Sequence, residues 1–169
     1  MNTINYLKNK DGFTLIELMI VIVIAGIIII IASNLFISGY NFFSKNEEKQ
    51  EIQNELRFIT NYIDESIKYS NSVSVGSSVP ILDSNETAIG YDANDSLIKI
   101  YNSDGTNRNL SNIIIDQFTI EIVDENAVKT TVNKTNEYKI ETNILLNNAS
   151  FDSADVNNTG SVIVFESSN

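Results

Sequence analysis

No cysteine, histidine or tryptophan occurs anywhere in this sequence, and proline occurs once, at Pro80. Without cysteine there is neither a disulfide framework nor a thiolate metal site. Without histidine as well, the commonest general base, the commonest zinc ligands and the Cys–His nucleophile pair are all missing. No catalytic residue, cofactor or metal site is therefore expected. Cations are scarce too: 11 Lys and Arg face 22 Asp and Glu, a net charge of −11. That balance opposes binding to phosphate backbones, which needs clustered Lys and Arg, so no nucleic acid partner is expected for the folded part.

The apolar residues that are present are unevenly placed. The chain of 169 residues suits one compact domain plus an appendage. Its apolar residues concentrate between Phe13 and Ile31, a run of 19 residues that includes LIELMIVIVIAGIIIII. About 20 apolar residues cross the hydrocarbon core of a bilayer, so this run predicts a single membrane-spanning helix. Lys8 and Lys10 precede it, and positive residues near a span prefer the cytoplasmic side. The N-terminus is expected inside, and everything after Asn34 outside. One residue conflicts with its surroundings. A charged group at mid-span costs roughly 2.5 to 3.5 kcal/mol, less near the interface, and Glu17 lies inside the apolar run.

Glu17 follows Lys10, Asp11, Gly12, Phe13, Thr14, Leu15 and Ile16 without interruption. The run KDGFTLIELMIVIVIAGIIIIIA resembles the processing and assembly signal of type IV prepilins and type II secretion pseudopilins. The resemblance implies that a prepilin peptidase cuts between Gly12 and Phe13 and methylates the new amine of Phe13. It also implies that the Glu17 carboxylate docks against the N-terminal amine of a neighbouring subunit. The physics agrees: opposite charges about 4 Å apart gain only about 1 kcal/mol in water and far more at low dielectric. Gly12 suits a cleavage site because the missing Cβ admits close backbone approach. A cleaved secretory signal and a plain signal anchor are the rivals, and neither accounts for Gly12, Phe13 and Glu17 together.

Beyond the span, Ile52, Leu56, Ile59, Ile63 and Ile67 recur at intervals of four, three, four and four, which places them on one helical face. Phe58, Tyr62 and Tyr69 are expected to widen that stripe, with Glu48, Glu51, Glu55, Arg57 and Lys68 on the wet side. No proline precedes Pro80, so one continuous helix from about Thr14 to Tyr69 is possible, roughly 80 Å at 1.5 Å per residue. Asn34 stands where major pilins often carry a proline, a departure more common in minor, initiating subunits.

From Ser70 the helical period gives way to short alternating runs. Strands are expected at Ser96–Tyr101, Arg108–Ile115, Gln117–Asp124, Ala127–Val132, Tyr138–Leu146 and Ser161–Phe165, the last as an edge or closing strand. Asp104 and Gly105 supply the first hairpin turn. Five to seven antiparallel strands wrapped against the amphipathic half of the helix follow. The order SLIKIY, LSNIIIDQFTIEI, YKIETNILLNN resembles the heads of minor pilins and J-type pseudopilins. Asp92–Ser96 and Asp152–Gly160 offer oxygen ligands but lack the spacing of a calcium loop, and read as solvated turns.

The expected organisation is an α+β, type IV pilin-like chain: leader 1–12, removed; membrane and filament-core helix 13–33; amphipathic helix 34–70; β-rich head 71–169. The expected function is a minor pilin or pseudopilin subunit, not an enzyme, assembled into or priming a filament. Its partners would be the prepilin peptidase, other major and minor pilin subunits, the assembly platform and the membrane, crossed once. It would reside in the cell membrane and then in the surface filament. The alternative is a membrane-anchored external binding module that does not polymerise, which needs hydrophobicity but no particular residue at Gly12, Phe13 or Glu17.

Overall fold

The computed structural model describes residues 13–134 and 138–166. It contains one helix and nine strands among them: α1 (Leu15–Ile67), β1 (Val73–Gly76), β2 (Glu86–Asp92), β3 (Leu97–Asn102), β4 (Asn107–Asn109), β5 (Gln117–Asp124), β6 (Ala127–Lys134), β7 (Tyr138–Leu145), β8 (Thr159–Gly160) and β9 (Val162–Glu166). The chain divides into two compact units, with the boundary between Glu47 and Glu48.

In the first unit, the helix from Leu15 onward leaves its aliphatic side chains uncovered, including Ile20, Ile24, Ile27 and Ile31. A side chain of this kind left in water forgoes roughly 1.5 to 3 kcal/mol of burial, so the segment is built for an apolar medium or for neighbours.

In the second unit, the helical face set by the sequence period is the one that packs. Ile52, Leu56, Ile59, Ile63 and Ile67 are all buried. They share one cluster with Ile89, Ile98, Ile100, Phe118, Ile120, Val128, Ile144 and Ile163 of the strands. Phe58 and Tyr69 do not widen the stripe as expected; both are more than half exposed, because they lie off the Leu56–Ile63 face. The helix ends where loop groups take over its last carbonyls. Ser70 Oγ donates to Ser66 O at 2.7 Å, Asn147 N to Lys68 O at 2.9 Å, and Asn148 Nδ2 to Tyr69 O at 3.0 Å.

Two antiparallel sheets complete the unit, in the orders β1-β9-β2-β3-β4 and β7-β6-β5-β8. The Asp104-Gly105 hairpin forms as its residues dictate: Gly105 adopts φ +82°, and Asp104 Oδ1 accepts from Thr106 N at 2.8 Å. The strand expected over Arg108–Ile115 contracts to β4. Leu110 and Ile115 are instead buried plugs, held by Leu110 N to Ile98 O at 2.8 Å and Ile115 N to Ser96 O at 2.8 Å. Strands β1, β2 and β8 were not expected from the sequence. β9 lies inside its sheet, between β1 and β2, rather than at an edge. Its side chains serve both faces. Ile163 and Phe165 join the main core, and Val162 and Val164 pack with Ala88, Val79, Leu82 and Tyr101.

The two sheets meet where β8 passes β1. A Cβ on Gly160 would lie 2.2 Å from Gly76 O and 2.9 Å from Val75 Cγ1. Ser161 N donates to Gly76 O at 3.0 Å across the same contact.

Candidate functional site

The candidate site lies where α1 begins. Leu15 is the first helical residue, which makes Thr14 the N-cap and Glu17 the third residue of the first turn. The two side chains close a reciprocal capping box. Glu17 Oε2 accepts from Thr14 N at 2.8 Å and from Thr14 Oγ1 at 2.9 Å, while Glu17 N donates to Thr14 Oγ1 at 3.3 Å. The spacing T-x-x-E immediately before an apolar run is a helix-start signal legible in the sequence, and it assigns Thr14 a role the sequence reading missed.

Phe13 is 84% exposed beside this box. Gly12, the residue expected before the cut, lies with Lys8 and Lys10 outside the described residues. Glu17 is exposed, and Oε1 takes no part in the capping box. Between Phe13 and Ser44 the sequence contains no Lys or Arg, so no side chain of this stretch can neutralise the carboxylate. The capping box supplies three hydrogen bonds but no countercharge. A positive partner for Glu17 therefore has to come from outside residues 13–44. Replacing Thr14 by Ala is expected to speed amide exchange at Glu17 roughly fivefold in detergent micelles, the equivalent of about 1 kcal/mol for a lost N-cap, with Thr14→Ser close to wild type.

The two acidic turns weighed for cation binding resolve differently. Asp92 and Asp95 converge on Lys99, with Nζ–O distances of 2.7 and 2.5 Å, so one ammonium group is shared by both carboxylates and offsets half of their charge. The hydrogen bond from Lys99, followed by that from the Asn94 backbone, holds the Asp92 carboxyl below the ordinary carboxylate range. A depressed carboxyl stabilises the fold above its unfolded value and loses that contribution as pH falls through the folded value. The melting-temperature gap between wild type and Lys99→Met is therefore expected to persist from pH 5 to 9 and to shrink below about pH 4. In the Asp152–Gly160 turn, Asp155 Oδ1 accepts from Asn158 Nδ2 at 3.1 Å, and Asp155 O accepts from Asn158 N at 2.9 Å. These bonds fold the turn on itself.

Among the described residues, one helix, α1, is long and apolar enough to cross a membrane. Residues 7–33 match the prokaryotic N-terminal methylation motif, which takes in Gly12, Phe13, Thr14 and Glu17. No curated protein matches this sequence. Among solved structures, the chain is similar to the PilB minor pilin from Streptococcus sanguinis, at 12% identity and a TM-score of 0.45, over 72% of this chain and 35% of that one. The chain thus spans about a third of that structure's length.

Proposed function

We propose that this protein is a subunit of a type IV pilus or a related secretion filament, made as a membrane precursor and matured by a prepilin peptidase. The observation that carries the reading is the methylation motif over residues 7–33, with Glu17 as the sole charged residue between Phe13 and Ser44. A simple anchor gains nothing from a carboxylate in that position, whereas an assembling helix gains a reason to associate.

The steps follow from the chemistry. The peptide nitrogen of Phe13 carries no charge while Gly12 is attached to it. Hydrolysis of the Gly12–Phe13 bond releases the leader and exposes an amine, which N-methylation leaves protonatable. That amine on one subunit and the Glu17 carboxylate of the next attract strongly once lipid and packed helices exclude water. Thr14 presents the carboxylate by holding Oε2, so that Oε1 is left for the incoming ammonium. The helix of residues 13–33 would lie in the membrane and then in the filament core. Residues 34–70 would lead into the head, which stays outside the cytoplasm. The absence of a proline at Asn34, together with the order of the strands, favours a minor subunit of the J-type kind over a major one.

The deciding measurement is the intact mass of the protein expressed with and without a prepilin peptidase. The expected result is loss of Met1–Gly12 and gain of one methyl group on Phe13 only when the peptidase is present. An unchanged mass beside an active peptidase sinks the assignment.

A further inference from the structure

The second unit carries one long open strand edge. β7 and β8 are the edges of the smaller sheet, but β8 spans only two residues. Beside it, β5 is closed by Ile122 N to Asn158 O at 3.0 Å and Asn157 N to Ile122 O at 2.7 Å. In the larger sheet the edge strands β1 and β4 have four and three residues. β7 has eight. It pairs with β6 in unbroken register from Lys134↔Tyr138 to Ala127↔Leu145, and among the described residues it pairs with no other strand.

In an antiparallel ladder every second residue turns its N–H and C=O away from the partner. β7 therefore offers a row of outward backbone donors and acceptors along its length. Folded proteins usually shorten, bulge or cover such an edge, and a regular open one is the geometry that accepts an added strand. Here neither a bulge nor a proline interrupts it.

A groove of about 230 Å³ runs beside the start of this edge, lined by Gln53, Leu56 and Arg57 of α1 and by Tyr138, Lys139 and Ile140 of β7. Arg57 is exposed and forms no ion pair among the described residues, while Lys139 meets Glu141 on its own strand at 2.5 Å. None of the described lining residues is acidic, although the chain as a whole carries a net charge of −11. With Lys139 answered by Glu141, Arg57 is the cation of this groove without an ion pair among the described residues, and an occupant with a carboxylate is favoured beside it. A second copy of β7 is a poorer fit, since YKIETNIL carries one Lys and one Glu and so brings no net negative charge.

We propose that β7 is the docking edge for an extended, acidic segment of a different filament subunit, which extends the smaller sheet and places a carboxylate against Arg57. That the donor is a filament subunit rests on the function proposed above; the edge and its charge preference do not. Backbone pairing supplies the attachment, and the groove selects the sequence.

The test uses the full chain in detergent micelles. The probe is a synthetic peptide of alternating valine and threonine with one glutamate near its end, and the control peptide carries lysine instead. The expected result is that alternate amides of Tyr138–Leu145 exchange at least tenfold more slowly with the glutamate peptide. The lysine peptide should protect far less, and Arg57→Glu should reduce the protection without lowering the melting temperature. Equal protection by both peptides, protection at β1 or β4, or none at millimolar peptide overturns the proposal. A scattering mass of two chains with β7 protected before any peptide is added assigns the edge to a second copy and overturns the choice of donor. The mass measurement with prepilin peptidase reads the filament assignment separately, so the two ideas fail by different signals.

Discussion

Replacing Glu17 by Val is expected to leave the precursor membrane-bound and cleaved after Gly12, yet to cut its recovery in sheared filaments at least tenfold. A tenfold change corresponds to about 1.4 kcal/mol, well within what one charge pair contributes when water is excluded. The substitution makes the helix more apolar, so membrane retention improves while association declines. That opposition separates docking from anchoring: a mere anchor would be unharmed by it. Glu17→Gln is the useful companion, since it keeps an oxygen acceptor for Thr14 and removes only the charge. If the Gln variant fails with the Val variant, charge is what assembly uses. Wild-type recovery of both would remove Glu17 from the docking step altogether.

The second large effect is expected at Gly160. A methyl group there would sit 2.2 Å from Gly76 O and 2.7 Å from Gly76 C, and neither atom can retreat freely. Gly76 is paired with Val162 of β9, and its carbonyl accepts from Ser161 N. Gly160 itself is paired with Ile120 of β5. The two sheets would have to separate, so Gly160→Ala should lose about 3 kcal/mol, the upper part of the range for overpacking. For a domain of this size that lowers the melting temperature by roughly 10 °C. Gly76→Ala is the control, because its added Cβ meets only Ser78 O at 3.7 Å, an ordinary contact. Equal melting temperatures for the two variants would show that the crossing is looser than described.

What the sequence disclosed depended on whether the cause was local. The stripe from Ile52 to Ile67 is periodic, and periodicity decides which face of a helix is buried. Asp104-Gly105 is a turn wherever it occurs between two alternating runs. The box formed by Thr14 and Glu17 is local too, and its T-x-x-E spacing was available to be read. Other features have distant causes. Ile113, Ile114 and Ile115 read as strand because they are β-branched, but Leu110 and Ile115 are taken up by Ile98 of β3 and by Ser96 in the turn before it. β2 was hidden by Gly90, which breaks the alternation for a reason found only in three dimensions: a Cβ there would meet Val162 Cγ2 at 2.9 Å. Nothing near Val162–Glu166 signals that the strand is flanked on both sides, and nothing near Gly160 signals the backbone of Gly76.

The interior place of β9, between β1 and β2, also governs when this protein can fold. β1 and β2 are the first strands to follow the helix, but each finds β9 as a neighbour, some seventy to ninety residues later in the chain. If the head is exported from its N-terminal side, those strands emerge early and wait beside an empty slot until almost the whole polypeptide has crossed. Pairing over such sequence distances is slow and leaves strand edges bare in the meantime. If the chain is cut after Gly12 as proposed, maturation of the helix and completion of the head are separate clocks: the first would run as soon as residues near Gly12 reach the peptidase, and the second could not finish before Phe165 is outside. A stop a few residues before β9 would yield a precursor that anchors and is cut like the full chain, while its larger sheet lacks the strand that joins its halves.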